Sequence, residues 1–324
     1  MGGTGARSAR NVRPMTLIVR DLVPTDAADT QGWVRVRRAA VPFMVTTPES
    51  VAFELSTAHP DKKMRMLLAE EDGEVIGAAT AGIAYDSTEP GQSYVTPYIH
   101  PDHRGHGAGS LLLRAAEEHL SAEGATAVYA WVLDAPESRA FAEKRGYRPT
   151  RPLHFQRLDL ANGDALPARQ PLPVGVELRT AADFLDDPRP VFEADAEATA
   201  DEPSDISTDF ADYDDWVNHT WNHPLLDRGL STIVVAEGRV AAFTAAQTDG
   251  LTRYWSGMTG TVRAHRGRGF AKLAKNDSLH RARAAGYTEA YTSNDADNQP
   301  MLAVNRWFGY EICASEVRHV RKLG

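Results

Sequence analysis

The sequence predicts an α+β protein built from two similar domains in tandem, each a mixed, mostly antiparallel sheet flanked by helices. Three observations carry this. The chain has 324 residues, about twice a common domain length. A set of landmarks recurs at half that length. His103-Arg104-Gly105-His106-Gly107 returns as His265-Arg266-Gly267-Arg268-Gly269, 162 positions on; Gly124 returns as Gly286 at the same offset; Gly146-Tyr147 returns as Gly309-Tyr310 at 163. Self-similarity at a fixed period is the mark of a repeated structural unit. Between the copies lies ANGDALPARQPLPVG, residues 161–175, with three prolines, a composition that suits an extended spacer. The expected organisation is a loose leader over 1–15, a first domain over 16–160, a linker over 161–175 and a second domain over 176–324.

Each half reads in the same order. In the first, Thr16–Arg20 is strand-like, and polar helical segments run to about His59. Met64–Glu70 and Val75–Tyr85 flank Glu71-Asp72-Gly73-Glu74, a hairpin signal. Ser93–His100 is a further strand, followed by a glycine-rich loop. The helix from about Gly109 to Ala122 places Leu112, Ala115, Ala116 and Leu120 at helical spacing. A strand at Ala127–Leu133, a helix near Pro136–Arg145 and a closing strand complete the half. In the second half the counterparts are Val176–Arg179, a long segment over 181–228, Ser231–Ala236, Arg239–Thr248, Arg253–Val262, helix 270–285, Ala290–Ser293, helix 299–307 and closing strands through Arg321.

The chemistry resides in strand, then Arg-x-x-Gly-x-Gly, then helix. The copies are Arg104-Gly105-His106-Gly107-Ala108-Gly109 and Arg266-Gly267-Arg268-Gly269-Phe270-Ala271. Glycines let successive backbone N–H groups face one way, and the following helix adds its positive end, so each loop is suited to a pyrophosphate. Neither copy has the Lys-[Ser/Thr] of a Walker loop, and Ser110 stands where a dinucleotide fingerprint needs its third glycine. An ordinary strand-to-helix turn explains one such loop about as well as a ligand site does; two in matching contexts favour the ligand.

From Tyr98 through Gly109 the sequence resembles the central strand and pyrophosphate loop of the GNAT superfamily of acyl-CoA-dependent N-acyltransferases. The second half keeps the loop with alanine, Ala271, at its last position, which the family tolerates, but has Arg263 where the first has Pro101. Glu143-Lys144-Arg145-Gly146-Tyr147 and Arg306-Trp307-Phe308-Gly309-Tyr310 are similar to that family's closing corner. The resemblance implies a tandem acetyltransferase with acetyl-CoA as co-substrate, bound where two central strands splay. It implies direct attack by an amine, with a backbone N–H near Ile99 or Thr261 stabilising the oxyanion. The expected cofactor contacts are Ile99, Arg104, Gly105, His106, Gly107, Ala108 and Gly109, and in the second half Thr261, Val262, Arg266, Gly267, Arg268, Gly269, Phe270, Ala271 and Asn298. The tyrosine that many relatives use as general acid falls at Ala142 and Asn305. An alkyl amine with a pKa near ~10.4 must also lose a proton before it can attack.

The second half carries more polar residues after its fifth strand: Asn294, Asn298 and Asn305. Their amides suit a pantetheine arm or a thiol sulfur, and Asn294 and Asn305 are the expected catalytic pair. Asparagine before a helix also serves as a cap. The expectation is that both halves bind CoA and the second transfers the acetyl group; the more typical strand–proline–loop of the first half argues the other way.

For the acceptor, ten acidic residues lie between Glu193 and Asp215 without an intervening Lys or Arg, and Phe210, Tyr213, Trp216 and Trp221 lie among or just after them. A small cationic amine fits such a rim, although acidic runs are commonly solvated faces. The alternatives are an amino-sugar conjugate, as in tandem relatives resembling mycothiol synthase, and a non-catalytic CoA-binding regulatory protein. Net charge is −9, which argues against a general nucleic-acid partner. No apolar run reaches membrane-spanning length, and one cysteine, Cys313, allows neither an internal disulfide nor a cysteine zinc site. A cytoplasmic home follows as an expectation. Cys313 reads as core, His219 and His223 lack a zincin pattern, and no metal ligands are assigned. The sequence leaves the oligomeric state open.

Overall fold

The computed structural model describes residues 16–162, 166–169, 171–201 and 212–323. The leader over 1–15, residues 163–165 and 170 of the linker, and Glu202, Asp205, Asp209 and Phe210 of the acidic run lie outside the described residues.

The first half opens with β1 (Leu17–Asp21), α1 (Ala27–Ala40) and α2 (Pro48–Ser56). Asp26 caps α1 through Ala28 N, and Thr47 and Ser50 cap α2 reciprocally, so both helices start where their orphan N–H groups find side-chain oxygens. Then come β2 (Arg65–Glu71), β3 (Glu74–Ile83), β4 (Gln92–Ile99), α3 (Ala108–Ala122), β5 (Ala127–Leu133), α4 (Pro136–Glu143) and β6 (Arg148–Asp159). The expected hairpin is present, its turn made by Asp72 and Gly73, both at positive φ.

The second half repeats the plan with β7 (Val176–Thr180), α5 (Arg189–Thr199), α6 (Tyr213–Trp216), β8 (Thr232–Ala236), β9 (Arg239–Thr248), β10 (Arg253–Thr261), α7 (Phe270–Ala284), β11 (Glu289–Asp295), α8 (Gln299–Trp307) and β12 (Glu311–Lys322). Among the described residues every strand belongs to one twelve-stranded sheet, ordered β1-β2-β3-β4-β5-β12-β6-β11-β10-β9-β8-β7.

That order contains an exchange. β12 pairs antiparallel with β5, placing Val317 opposite Val132 and His319 opposite Ala130. β6 pairs antiparallel with β11, placing Gln156 opposite Thr292. Each half therefore receives its sixth strand from the other, and the two exchanged strands meet at the centre, Glu316 opposite Leu153. Cys313 sits at a register shift in this pair. It is exposed rather than in the core, with its thiol 3.5 Å from Phe155 O.

Apolar clusters fill both faces. Leu112, Ala116 and Leu120 of α3 pack on Leu67, Ala79 and Val128, and Trp33 and Val36 of α1 cover the other face against Met66 and Leu68. Leu279 and Ala282 of α7 pack beside Tyr254 and Phe308, while Val191 and Trp216 cover the opposite face. At the seam Val41 and Phe43 pack on Phe155 and Tyr291. Among the described residues no helix is long and apolar enough to cross a membrane.

Candidate active site

β4 and β5 run parallel from Gln92–Tyr94 against Ala127–Tyr129, and their pairing ends there. The gap that opens beyond leads to a cavity of about 390 Å³, within the range of small-ligand sites. Loop 104–109 forms part of its wall, and Tyr98, Trp131, Phe141 and Glu316 line it as well.

The loop's conformation suits an anion. Gly105 has φ +87° and Gly107 φ +95°, values that side-chain-bearing residues seldom adopt. A Cβ on Gly105 would stand in open space and one on Gly107 would touch only Leu17 at 4.0 Å, so it is the backbone turn that requires glycine. Gly107 is the N-cap of α3 and makes no side-chain capping bond. The first N–H groups of a helix lack intrahelical acceptors, and here they are the natural partners of a pyrophosphate. Arg104 is 42% exposed in its side chain and 3.6 Å from Glu137, a loose pairing that leaves it near the loop.

The next feature follows from backbone alternation. His100 N donates to Ile76 O on β3, so Ile99 N faces the other way, into the splay. Two residues earlier the same direction is occupied by Pro97, which has no N–H to give. Ile99 N–H thus stands as a donor at the cavity wall.

Glu316 reaches this cavity from β12. It is 5% exposed, and burial pushes its carboxyl up to about 7, with Arg37 pulling the other way. A carboxyl titrating near neutrality in a cleft is suited to accepting a proton. Arg37 lies 5.9 Å from the Tyr98 ring, and Arg318 and Arg151 lie 5.6 and 5.8 Å from the Trp131 ring. Burial also raises the Tyr98 hydroxyl to about 12.

The structure brings Ile99, Arg104, Gly105, Gly107, Ala108 and Gly109 together on the one cavity. His106 instead turns its Nδ1 to Glu71, 3.3 Å away. The second-half residues sit differently. Arg266 pairs with Asp201 at 2.5 Å, and Arg263 with the same carboxylate at 2.8 Å. Arg268 lies 2.9 Å from His265 and stacks over Phe270, whose ring is core. Gly267 and Gly269 keep the left-handed turn. Ala271 is the second residue of α7, Thr261 ends β10, and Val262 follows it with its N–H bonded to Ala241 O. Asn298 caps α8 through Met301 N.

Asn294 and Asn305 are held in a closed network. Lys275 Nζ donates to Asn305 Oδ1 at 2.6 Å; Asn305 Nδ2 donates to Gln156 Oε1 at 2.7 Å and to Asn294 Oδ1 at 2.6 Å. Lys275 and Asn305 have no exposed surface, and burial draws the ammonium down to about 7. The repeat offsets set Leu113, Ala142 and Val132 of the first half against Lys275, Asn305 and Asn294 of the second, and Gln156 of the exchanged β6 against His319 of β12. Leu113, Ala142 and Val132 are apolar where the second half is filled with mutually bonded polar groups.

The acidic run has its own partners. Asp195 accepts from Trp216 Nε1 at 2.6 Å, Asp212 caps α6, and Asp215 accepts from Tyr85 at 2.6 Å. His219 bonds Thr57 O and His223 lies 3.8 Å from Glu54, so both rings seat this segment on the first half.

Glu316 was missed because the repeat places it beside Leu153 in a closing strand, with nothing local to connect it to the first half. A carboxylate at an inward strand position was the available signal. Lys275 and Glu71 were missed for the same reason: their partners are distant in sequence.

This fold, with a cleft between splayed strands and a glycine cradle at its wall, defines an acyl-CoA-dependent transferase. A family model described as "Acetyltransferase (GNAT) family" matches residues 33–147. A relative from Nocardia farcinica called mycothiol acetyltransferase is 30% identical over 269 residues, covering 80% of this chain and 82% of its own. A GCN5-related N-acetyltransferase from Sphaerobacter thermophilus superposes with a TM-score of 0.68 at 25% identity, covering 94% of this chain and 95% of its own. A tandem GNAT protein from the clavulanic acid biosynthesis pathway has the same fold, with a TM-score of 0.72 at 22% identity over 95% of this chain and 99% of its own. The chain belongs to the GNAT acetyltransferase family. It is an acetyl-CoA-dependent N-acetyltransferase with acetyl-CoA as its co-substrate.

Proposed function

We propose that acetyl transfer takes place in the first half's cleft, with Glu316 of β12 as the base, and that the acceptor is the amine of a mycothiol-type amino-sugar conjugate. The observation that carries this is Glu316: a buried carboxyl lining the same cavity as the glycine cradle. Its counterpart by repeat offset in the second half is Leu153, which cannot take a proton.

Acetyl-CoA supplies an acetyl thioester. The Gly105–Gly109 backbone and the start of α3 hold its pyrophosphate, and Arg104 lies near them. Ile99 N–H is placed to meet negative charge developing on the carbonyl oxygen. Glu316 takes the acceptor's ammonium proton, directly or through one water; the freed amine attacks the thioester carbon, the C–S bond breaks, and CoA leaves as a thiolate that takes up the second proton shed by the nitrogen.

The acceptor class follows from charge. Arg37, Arg151 and Arg318 stand around Trp131 and Tyr98 near Glu316. Arg151 is paired with Asp295 at 2.8 Å, but the charge of Arg37 acts on Glu316 and disfavours a polycation beside it, whereas a hydroxyl-rich conjugate finds aromatic faces there. The curated relative's name, mycothiol acetyltransferase, agrees with that chemistry.

The test is acetyl-CoA titration and steady-state turnover of wild type, Gly107→Glu, Gly269→Glu and Glu316→Gln. One equivalent should bind, lost in Gly107→Glu and kept in Gly269→Glu. Glu316→Gln should keep binding and lose about 10²–10⁴ in kcat. Turnover lost in Gly269→Glu but retained in Gly107→Glu would move the reaction to the second half.

A further inference from the structure

Beside the cradle three side chains from separate segments converge. Glu71 ends β2. His103 belongs to the turn after β4, and His106 lies within the glycine loop. His103 Nδ1 is 3.2 Å from Glu71 Oε2, and His106 Nδ1 is 3.3 Å from Glu71 Oε1. One donor atom from each residue lies within 4.8 Å of the others.

We propose that Glu71, His103 and His106 form a binding site for a divalent transition metal of the zinc class, fastening the pyrophosphate loop to β2. Three features support it. The donor set, two imidazole nitrogens and a carboxylate, is one that zinc accepts with water in its fourth position. The spacing fits as well: metal–ligand bonds of about 2.0–2.1 Å in a tetrahedron separate neighbouring donors by about 3.3 Å, close to the two His–Glu distances. Finally, Glu71 is nine-tenths buried in its side chain, yet its Oε1 is a buried oxygen with no hydrogen-bond partner. A buried carboxylate oxygen left in that state is costly, and it faces the His106 ring. Of the three, His103 also lines the cavity described above while Glu71 and His106 do not, and the site stands whichever half performs the transfer.

The experiment is calorimetric titration of ZnCl₂ into the full chain, stripped with chelator and free of acetyl-CoA, at about pH 7.5, where imidazoles are largely deprotonated. One equivalent should bind with a Kd of about 10 μM or tighter. Glu71→Ala and His106→Ala should each weaken it at least tenfold, about 1.4 kcal/mol. His59→Ala, which removes an imidazole outside the cluster, should bind as wild type does. Circular dichroism and melting in chelator establish that each variant is folded; should Glu71→Ala fail to fold, Glu71→Gln replaces it with the same expectation. Absence of stoichiometric zinc uptake by wild type, or uptake unchanged in folded Glu71 and His106 variants, overturns the proposal.

Discussion

Glu316 concentrates the functional argument in one carboxyl group. A base must be ionised to work, so kcat should rise with pH through about 7, the value to which burial pushes this group, and the rise should vanish in Glu316→Gln. The same shift has a stability consequence of defined sign. Below about pH 4.5 the carboxyl is protonated in both folded and unfolded chains. Between there and about 7 the unfolded chain releases the proton while the folded one keeps it, so stability falls as pH rises. A displacement from 4.5 to about 7 corresponds to about 3 kcal/mol once the group is ionised in both states. Glutamine never ionises. Glu316→Gln should therefore melt higher than wild type at about pH 8 and lose that advantage near about pH 4, as thermal melts at the two values would show. A variant inactive and more stable is the signature of a residue kept for chemistry at the expense of the fold; equal stability at both values would mean that the carboxyl is better solvated than its burial implies.

At the scale of elements, the two halves differ in what joins their helices to the sheet. α3 and α4 meet β5 through Leu113, Ala142 and Val132, and α7 and α8 meet β11 through Lys275, Asn305 and Asn294, with Gln156 added from β6. Asn305 is the hub. Replacing it with alanine leaves the Lys275 ammonium buried without its 2.6 Å acceptor, and losing one partner of a buried polar pair costs about 3 kcal/mol. Asn305→Ala should destabilise by about that amount in urea melts. Adding Lys275→Leu, which copies the first half's pair, should recover a substantial part by removing the buried amine. Neither variant should change acetyl-CoA turnover, since no member of this network reaches the first cleft. A large loss of kcat in a folded Asn305→Ala protein would return Asn305 to the catalytic role that its position in the sequence suggested.

At the scale of the whole molecule, what could be read from the sequence was what is local. The two glycine loops, the Asp72-Gly73 turn and the amphipathic α3 are each determined by neighbours a few residues apart. The exchange of β6 and β12 is a choice of partners far apart in the chain, Asp159 against Glu289 and Leu133 against Glu316, and two closing strands of the same pattern do not say which sheet each will join. The site was half legible for that reason: the cradle residues are contiguous, while the carboxyl that completes the cavity comes from residue 316. The exchange also carries a prediction. β12 fills the edge of β5 and β6 fills the edge of β11, so each half expressed alone lacks its own closing partner, and the first half alone also lacks Glu316. A fragment ending near residue 162 should be inactive, and its unpaired β5 edge invites association with other chains. Two fragments divided within the linker and produced together should assemble, because the β12–β6 seam and the contacts of His219 and His223 with α2 and the residue after it do not depend on the linker. Activity in the co-produced pair and none in either fragment is the expected outcome, read by acetyl-CoA turnover after size-exclusion chromatography. An active first fragment, monomeric and without residue 316, would show that the exchanged strand is not what completes the site.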